Sequence, residues 1–131
     1  MGNASLDDHR IRVLIADDDG GFLRSLHELI DRQPELCVVG MAADGLEAIE
    51  LAEHLDPDAV VLDVHMPLLD GVTAAARLRR DHPNLCLIAL TGDEAPALHR
   101  AIREAGADEV LLKSELVEGL LERLATARSS G

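Results

Sequence analysis

The chain has 131 residues, enough for one domain with a single core. It carries 25 acidic against 12 basic side chains, a net charge of −13, which excludes a surface built for nucleic acid or anionic membrane. Phe22 is its single aromatic residue, no apolar run is long enough to cross a bilayer, and no stretch reads as a signal peptide.

Residues 1–9 are polar and without periodicity and are expected to form a loose arm. Ile11 to Ala16 reads as a first strand, ending abruptly in Asp17-Asp18-Asp19-Gly20-Gly21. Phe22, Leu23, Leu26, Leu29 and Ile30 then make one helical stripe, stopped at Gln33-Pro34. A second strand, Leu36 to Met41, ends in Ala42-Ala43 with no reactive side chain. Asp44 with Glu47 three residues on predicts a capping box before a helix burying Leu46, Ile49, Ala52 and Leu55. Ala59 to Leu62 is a continuous apolar run, as in a parallel strand buried on both faces, and it delivers Asp63.

Asp70-Gly71 opens a third helix, Val72 to Arg80, whose Arg77, Arg79 and Arg80 read as a solvated, dipole-matched end. Strand four, Leu85 to Leu90, delivers Thr91. The fourth helix, from about Glu94 to Ala105, has Leu98 and Ile102 as its sizeable apolar anchors and stops at Gly106. Strand five, Glu109 to Leu112, delivers Lys113, and Ser114 is expected to cap a last helix with Val117, Leu120, Leu121 and Leu124 on one face. Five strand–helix units with crossovers of this length predict a parallel α/β sheet.

In a parallel sheet all the strand ends lie on one side, so Asp17, Asp18, Asp63, Thr91 and Lys113 can converge there. Crowded carboxylates repel unless a cation joins them. Mg²⁺ suits such a site because it binds one or two carboxylates and completes its shell with water and phosphate oxygens. A carboxylate can attack phosphorus, and a metal, an ammonium and a hydroxyl can neutralise the transferring group. The parts suit an aspartyl-phosphate site. The six histidines show no metal-ligand spacing and read as solvated, except His65, two residues from Asp63.

Ile15-Ala16-Asp17-Asp18-Asp19, Leu62-Asp63-Val64-His65-Met66-Pro67 with Asp70-Gly71, Leu90-Thr91-Gly92, and Gly106-Ala107-Asp108 leading to Lys113 resemble the receiver domain of two-component response regulators. The resemblance implies a flavodoxin-like (βα)5 doubly wound sandwich with a five-stranded parallel sheet in order 2-1-3-4-5. It implies a receiver over residues 10–126, with 127–131 a tail or the start of a linker. Asp63 would accept a phosphoryl group from a sensor histidine kinase or phosphotransfer protein. Asp18, Asp63 and the His65 backbone carbonyl would bind Mg²⁺, and Asp17 would act through water. Thr91 and Lys113 would contact the phosphoryl group. No external substrate would be turned over. The output would be an altered face of helix 4, strand 5 and helix 5, acting on an output domain or a partner, with a homodimer formed on phosphorylation.

That strand order sets Cys37 and Cys86 three strands apart, roughly 14 Å at about 4.8 Å per strand, against the ~7 Å that a disulfide tolerates. Free thiols, a reducing compartment and a cytoplasmic location are therefore expected. Two positions depart from the family pattern: Ser114 follows the lysine where Pro is usual, and Val110 stands where an aromatic ring is usual.

A second resemblance competes. Asp17-x-Asp19, Thr91 and Lys113 are similar to the first three motifs of haloacid-dehalogenase-type phosphatases, with Asp17 as nucleophile and Asp19 as acid/base. That reading leaves Asp63 and its Met-Pro-x-x-Asp-Gly sequel without a role.

Overall fold

A computed structural model describes residues 10–65 and 69–125, the side chains of 115–119 excepted. The expected arm, the tail, Met66-Pro67 and the Val117 side chain fall outside the described residues. In chain order the elements are β1 (Ile11–Ala16), α1 (Gly20–Asp31), β2 (Leu36–Ala42), α2 (Gly45–Leu55), β3 (Ala59–Asp63), α3 (Gly71–Asp81), β4 (Cys86–Thr91), α4 (Pro96–Ala105), β5 (Glu109–Leu112), a 3-10 turn (Lys113–Glu115) and α5 (Leu116–Ala125). All strand pairs are parallel, in the order β2-β1-β3-β4-β5. This is the expected flavodoxin-like sandwich.

The period-two alternation of the strands divides the core. Leu14, Val60, Leu62, Leu87 and Val110 face α2, α3 and α4, where Ala48, Ala52, Ala74, Leu78 and Ile102 cover them. Val13, Ile15, Val61, Ile88 and Leu90 face α1 and α5, where Leu23, Leu26, Ile30, Leu120 and Leu124 cover them. Every residue of β3 and β4 is buried, which explains their unbroken apolar runs. Both cysteines are free, Cys37 half-buried on edge strand β2 and Cys86 buried on β4.

Several local expectations shift. Leu46 is 48% exposed, because the buried stripe of α2 is Gly45, Ala48, Ile49 and Ala52, and Leu46 is turned about 100° from it. Asp44 caps Glu47 N–H as expected, but Glu47 reaches back to Ala43 N–H rather than to that of Asp44. The fourth helix begins at Pro96, not Glu94, since the residue before a proline is held out of helical geometry and Ala95 is extended at ψ 120°. Ser114 lies within the 3-10 turn, one residue too early to cap α5.

The largest correction concerns Arg79, read from sequence as part of a solvated helix end. Its Nε–H donates to the Gly106 carbonyl at 2.9 Å and its Nη1 to those of Pro83 and Leu85 at 2.9 and 2.8 Å. Nη2 pairs with Asp108 Oδ2 at 2.9 Å, and the same oxygen accepts Leu87 N–H at 2.8 Å. One guanidinium thus ties the loop before β4 to the loop before β5. Gly106, at φ 130°, lies against the Arg79 stem: a Cβ there would sit 2.6 Å from Arg79 Cβ, and the backbone conformation itself favours glycine.

Arg79→Ala is expected to cost roughly 2–3 kcal/mol in urea denaturation, because several part-buried carbonyls lose their donor together. Arg80→Ala, next along the chain and mostly exposed, is expected to stay within about 0.5 kcal/mol.

Candidate functional site

The carboxyl edge of the sheet brings the five expected side chains together. Asp17 follows β1, Asp63 ends β3, Thr91 ends β4 and Lys113 follows β5. Asp17, Asp63 and Thr91 are 1%, 2% and 0% exposed, while Asp18 is exposed. One oxygen from each of Asp17, Asp18 and Asp63 can be chosen so that all lie within 4.8 Å of one another.

The three consecutive aspartates do three different jobs. Asp19 is the N-cap of α1, its Oδ1 accepting Gly21 and Phe22 N–H at 3.0 and 3.2 Å. Asp17 points into the pocket, with Oδ1 accepting Asp19 N–H at 2.9 Å and Oδ2 accepting the Lys113 ammonium at 2.7 Å. Asp18 faces solvent at the rim. Asp63 Oδ1 accepts His65 N–H at 3.1 Å, and its Oδ2 is 3.5 Å from Lys113 Nζ. Lys113 leans over the Phe22 ring, 4.5 Å from its centroid, a cation–π contact the sequence did not announce.

The loop after Asp63 is built by close packing. Asp70 caps α3 through Thr73 N–H and Thr73 Oγ1, both at 2.9 Å, bonds that hold its carboxyl below the usual range. A Cβ on Gly71 would fall 2.3 Å from Val64 Cα, so only glycine lets the start of α3 lie against the end of the Asp63 strand. Asp44 and Gly45 work similarly beside Leu69.

Charge in the pocket is tightly coupled. Burial pushes the Asp17 carboxyl above its ordinary value and the Asp63 charge adds to this, against the Lys113 and Asp19 hydrogen bonds. Burial alone would depress Lys113, but the Asp17 hydrogen bond and the charges of Asp63 and Asp17 outweigh it and hold its pKa above 10.5. An ionised Asp17 therefore costs stability at neutral pH, a cost relieved as pH falls through its raised pKa toward 3.8. The Lys113 contribution is complete below 10.5 and is lost as pH rises through its folded value.

Thr91 Oγ1 accepts Asp93 N–H at 3.0 Å and lies 3.2 Å from His65 Nε2. Asp93 Oδ1 accepts Ala95 N–H at 2.9 Å, and the Asp93 carbonyl accepts His99 Nε2–H at 2.6 Å. The sequence singled out His65 for its place near Asp63 and, through the family resemblance, for its backbone carbonyl, and set His99 aside as solvated. Their partners lie 26 and six residues away in the chain, too far for any local signal to show.

A parallel sheet with a buried strand-end aspartate, two more carboxylates, a threonine and a lysine at one edge defines a receiver-type acidic pocket. The chain belongs to the response regulator receiver domain family, whose model matches residues 13–125. It is 39% identical over 105 residues to a protein-glutamate methylesterase/protein-glutamine glutaminase from Shewanella frigidimarina, a match covering 79% of this chain and 26% of that protein. The chain thus spans about a quarter of the length of such curated relatives. The response regulator domain of Thermotoga maritima CheB superposes with TM-score 0.85 at 32% identity, covering 92% of this chain and 97% of that one. The receiver domain of NarL from Mycobacterium tuberculosis gives 0.81 at 29%, covering 89% and 98%. A CheX–CheY–BeF3–Mg²⁺ complex from Borrelia burgdorferi gives 0.80 at 25%, covering 90% and 89%.

Receiver domains generally bind Mg²⁺ at an acidic pocket, and three clustered carboxylates, all hard oxygen donors, are a chemically suitable set here. The phosphatase alternative finds no support: both oxygens of Asp17 are occupied, and the Asp19 carboxylate is spent on the helix cap. Among the described residues no helix is long and apolar enough to cross a membrane.

Lys113→Ala should destabilise the protein by roughly 2 kcal/mol at neutral pH, after allowance for the partial exposure of the ammonium. The gap to wild type should narrow as pH falls toward 3.8, because Asp17 then takes up a proton more readily in the folded chain than in the unfolded one. Urea melts at the two pH values measure it.

Proposed function

We propose that this domain accepts a phosphoryl group on Asp63 from the phosphohistidine of a sensor histidine kinase or phosphotransfer protein, in a Mg²⁺-dependent reaction. The observation carrying this reading is the contrast between the two buried carboxylates. Asp17 is bound by Lys113 at 2.7 Å, while Asp63 is at 3.5 Å and keeps an oxygen free of so short a bond. Asp63 is thus the better nucleophile. Its carboxylate oxygen attacks phosphorus, the new O–P bond forms as the donor N–P bond breaks, and the imidazole nitrogen leaves with the electron pair.

Asp18, Asp63 and the His65 backbone carbonyl are the metal ligands in this reading, with Asp17 acting through water. Bound Mg²⁺ supplies neutralisation of the carboxylates and of the transferring phosphoryl oxygens. Lys113 places a positive charge at the opposite side, and Thr91 offers its hydroxyl to a third oxygen. The domain turns over no external substrate, works in the cytoplasm, binds no nucleic acid directly and occupies residues 10–126. Its changed face of α4, β5 and α5 regulates an output domain or a partner, and supports a homodimer on phosphorylation. The anchoring of α4 supports this choice of face: Ile102 is its one buried residue, and elements with few buried contacts open most readily.

Acetyl phosphate with Mg²⁺ is expected to add one phosphoryl group at Asp63, read by intact mass and peptide mapping, and Asp63→Asn should abolish it. Modification of Asp17 with Asp63 untouched would overturn the assignment. Mg²⁺ at a hundredfold excess over its Kd should stabilise the folded chain by about 2.7 kcal/mol, and identical melts in EDTA and Mg²⁺ would remove the metal from the reading.

A further inference from the structure

The Thr91 hydroxyl has one hydrogen and two lone pairs. One lone pair takes Asp93 N–H. Thr91 is wholly buried, so its hydrogen needs an acceptor, and among the described residues that acceptor is His65 Nε2 at 3.2 Å. This places the ring proton on Nδ1 and leaves Nε2 bare. The His65 backbone N–H is meanwhile tied to Asp63 Oδ1, so the residue spans the acceptor aspartate and the threonine. The hydrogen that His65 holds is the one Thr91 would give to a phosphoryl oxygen on Asp63. It cannot serve both.

We propose that His65 is a latch on Thr91: a positioning residue whose imidazole holds the threonine hydroxyl in the unphosphorylated chain and yields it when Asp63 carries phosphate. The inference rests on Asp63 being the phosphoacceptor. Release has a built-in route outward. Asp93 is bonded to the same Thr91 oxygen, and its carbonyl and carboxylate hold His99 and Ala95 at the start of α4. Displacement of Thr91 Oγ1 therefore pulls on the first turn of the least anchored helix. Val110 is buried on the face of the sheet shared with α4 and has no polar atom with which to join this chain of bonds. The latch and the Thr91–Asp93–His99 bonds thus do the reporting that an aromatic ring on β5 would do elsewhere.

The test uses beryllofluoride with Mg²⁺ as a phosphoryl mimic, titrated into wild type, His65→Ala and His65→Gln while the Asp93 and His99 amides are followed by NMR. All three keep the His65 backbone carbonyl. The latch predicts that His65→Ala binds the mimic roughly three- to tenfold tighter, the worth of one net hydrogen bond. It also predicts that the Asp93 amide of unliganded His65→Ala moves toward its mimic-bound position. His65→Gln, whose side-chain carbonyl can accept the threonine hydrogen, should return both toward wild type, and wild-type imidazole nitrogen shifts should show Nδ1 protonated. Equal or weaker binding by His65→Ala, with wild type binding normally, removes the latch and leaves the phosphoacceptor reading standing. If wild type shows no Mg²⁺-dependent binding, that reading falls and the latch with it.

Discussion

A single ammonium balances two buried carboxylates at the carboxyl edge of this sheet, and the rest of the site depends on it. Lys113 reaches across from the end of β5, bonds Asp17 at 2.7 Å and stays within ion-pair range of Asp63 at 3.5 Å. Without it, two carboxylates almost devoid of solvent would face each other and the exposed Asp18 in one pocket. The balance remains incomplete, since the site holds three acids and one base. That residual negative charge is the physical reason a divalent cation suits it. The Phe22 ring beneath the ammonium steadies it without neutralising it.

The scaffold separates this strained chemistry from the parts that must stay rigid. β3 and β4 are buried along their whole length, and Arg79 ties the loop before β4 to the loop before β5 through the carbonyls of Pro83, Leu85 and Gly106 and through Asp108. Gly71 and Gly106 sit where a methyl group would collide with Val64 or Arg79, so the loop after Asp63 and the approach to β5 are set by contact distance. By contrast α4 starts at an uncapped Ala95 and buries only Ile102. Movement is easiest there, and the hydrogen bonds from Thr91 through Asp93 lead to that helix. Phe22 belongs to the α1–α5 side of the sheet and Val110 to the α2–α4 side, so the chain's single phenyl ring cannot take the place the family reserves on β5.

How much was legible in the sequence follows from the range of each interaction. The strands and their order of use, the polar residue at each strand end and the helix caps at Asp44 and Asp70 were readable, because unbroken apolar runs, period-two burial and capping act over a few residues. The receiver motifs carried the fold and the site membership of Asp17, Asp18, Asp63, Thr91 and Lys113. Tertiary structure alone decided how those side chains divide their work. Asp17, Asp18 and Asp19 are identical in composition and adjacent in sequence, yet one pairs with Lys113, one meets solvent and one caps α1. The same holds for Arg79 against Arg80, and for His65, whose ring finds Thr91 26 residues away. Each of these outcomes is set by where a second segment arrives in space, which no local pattern encodes.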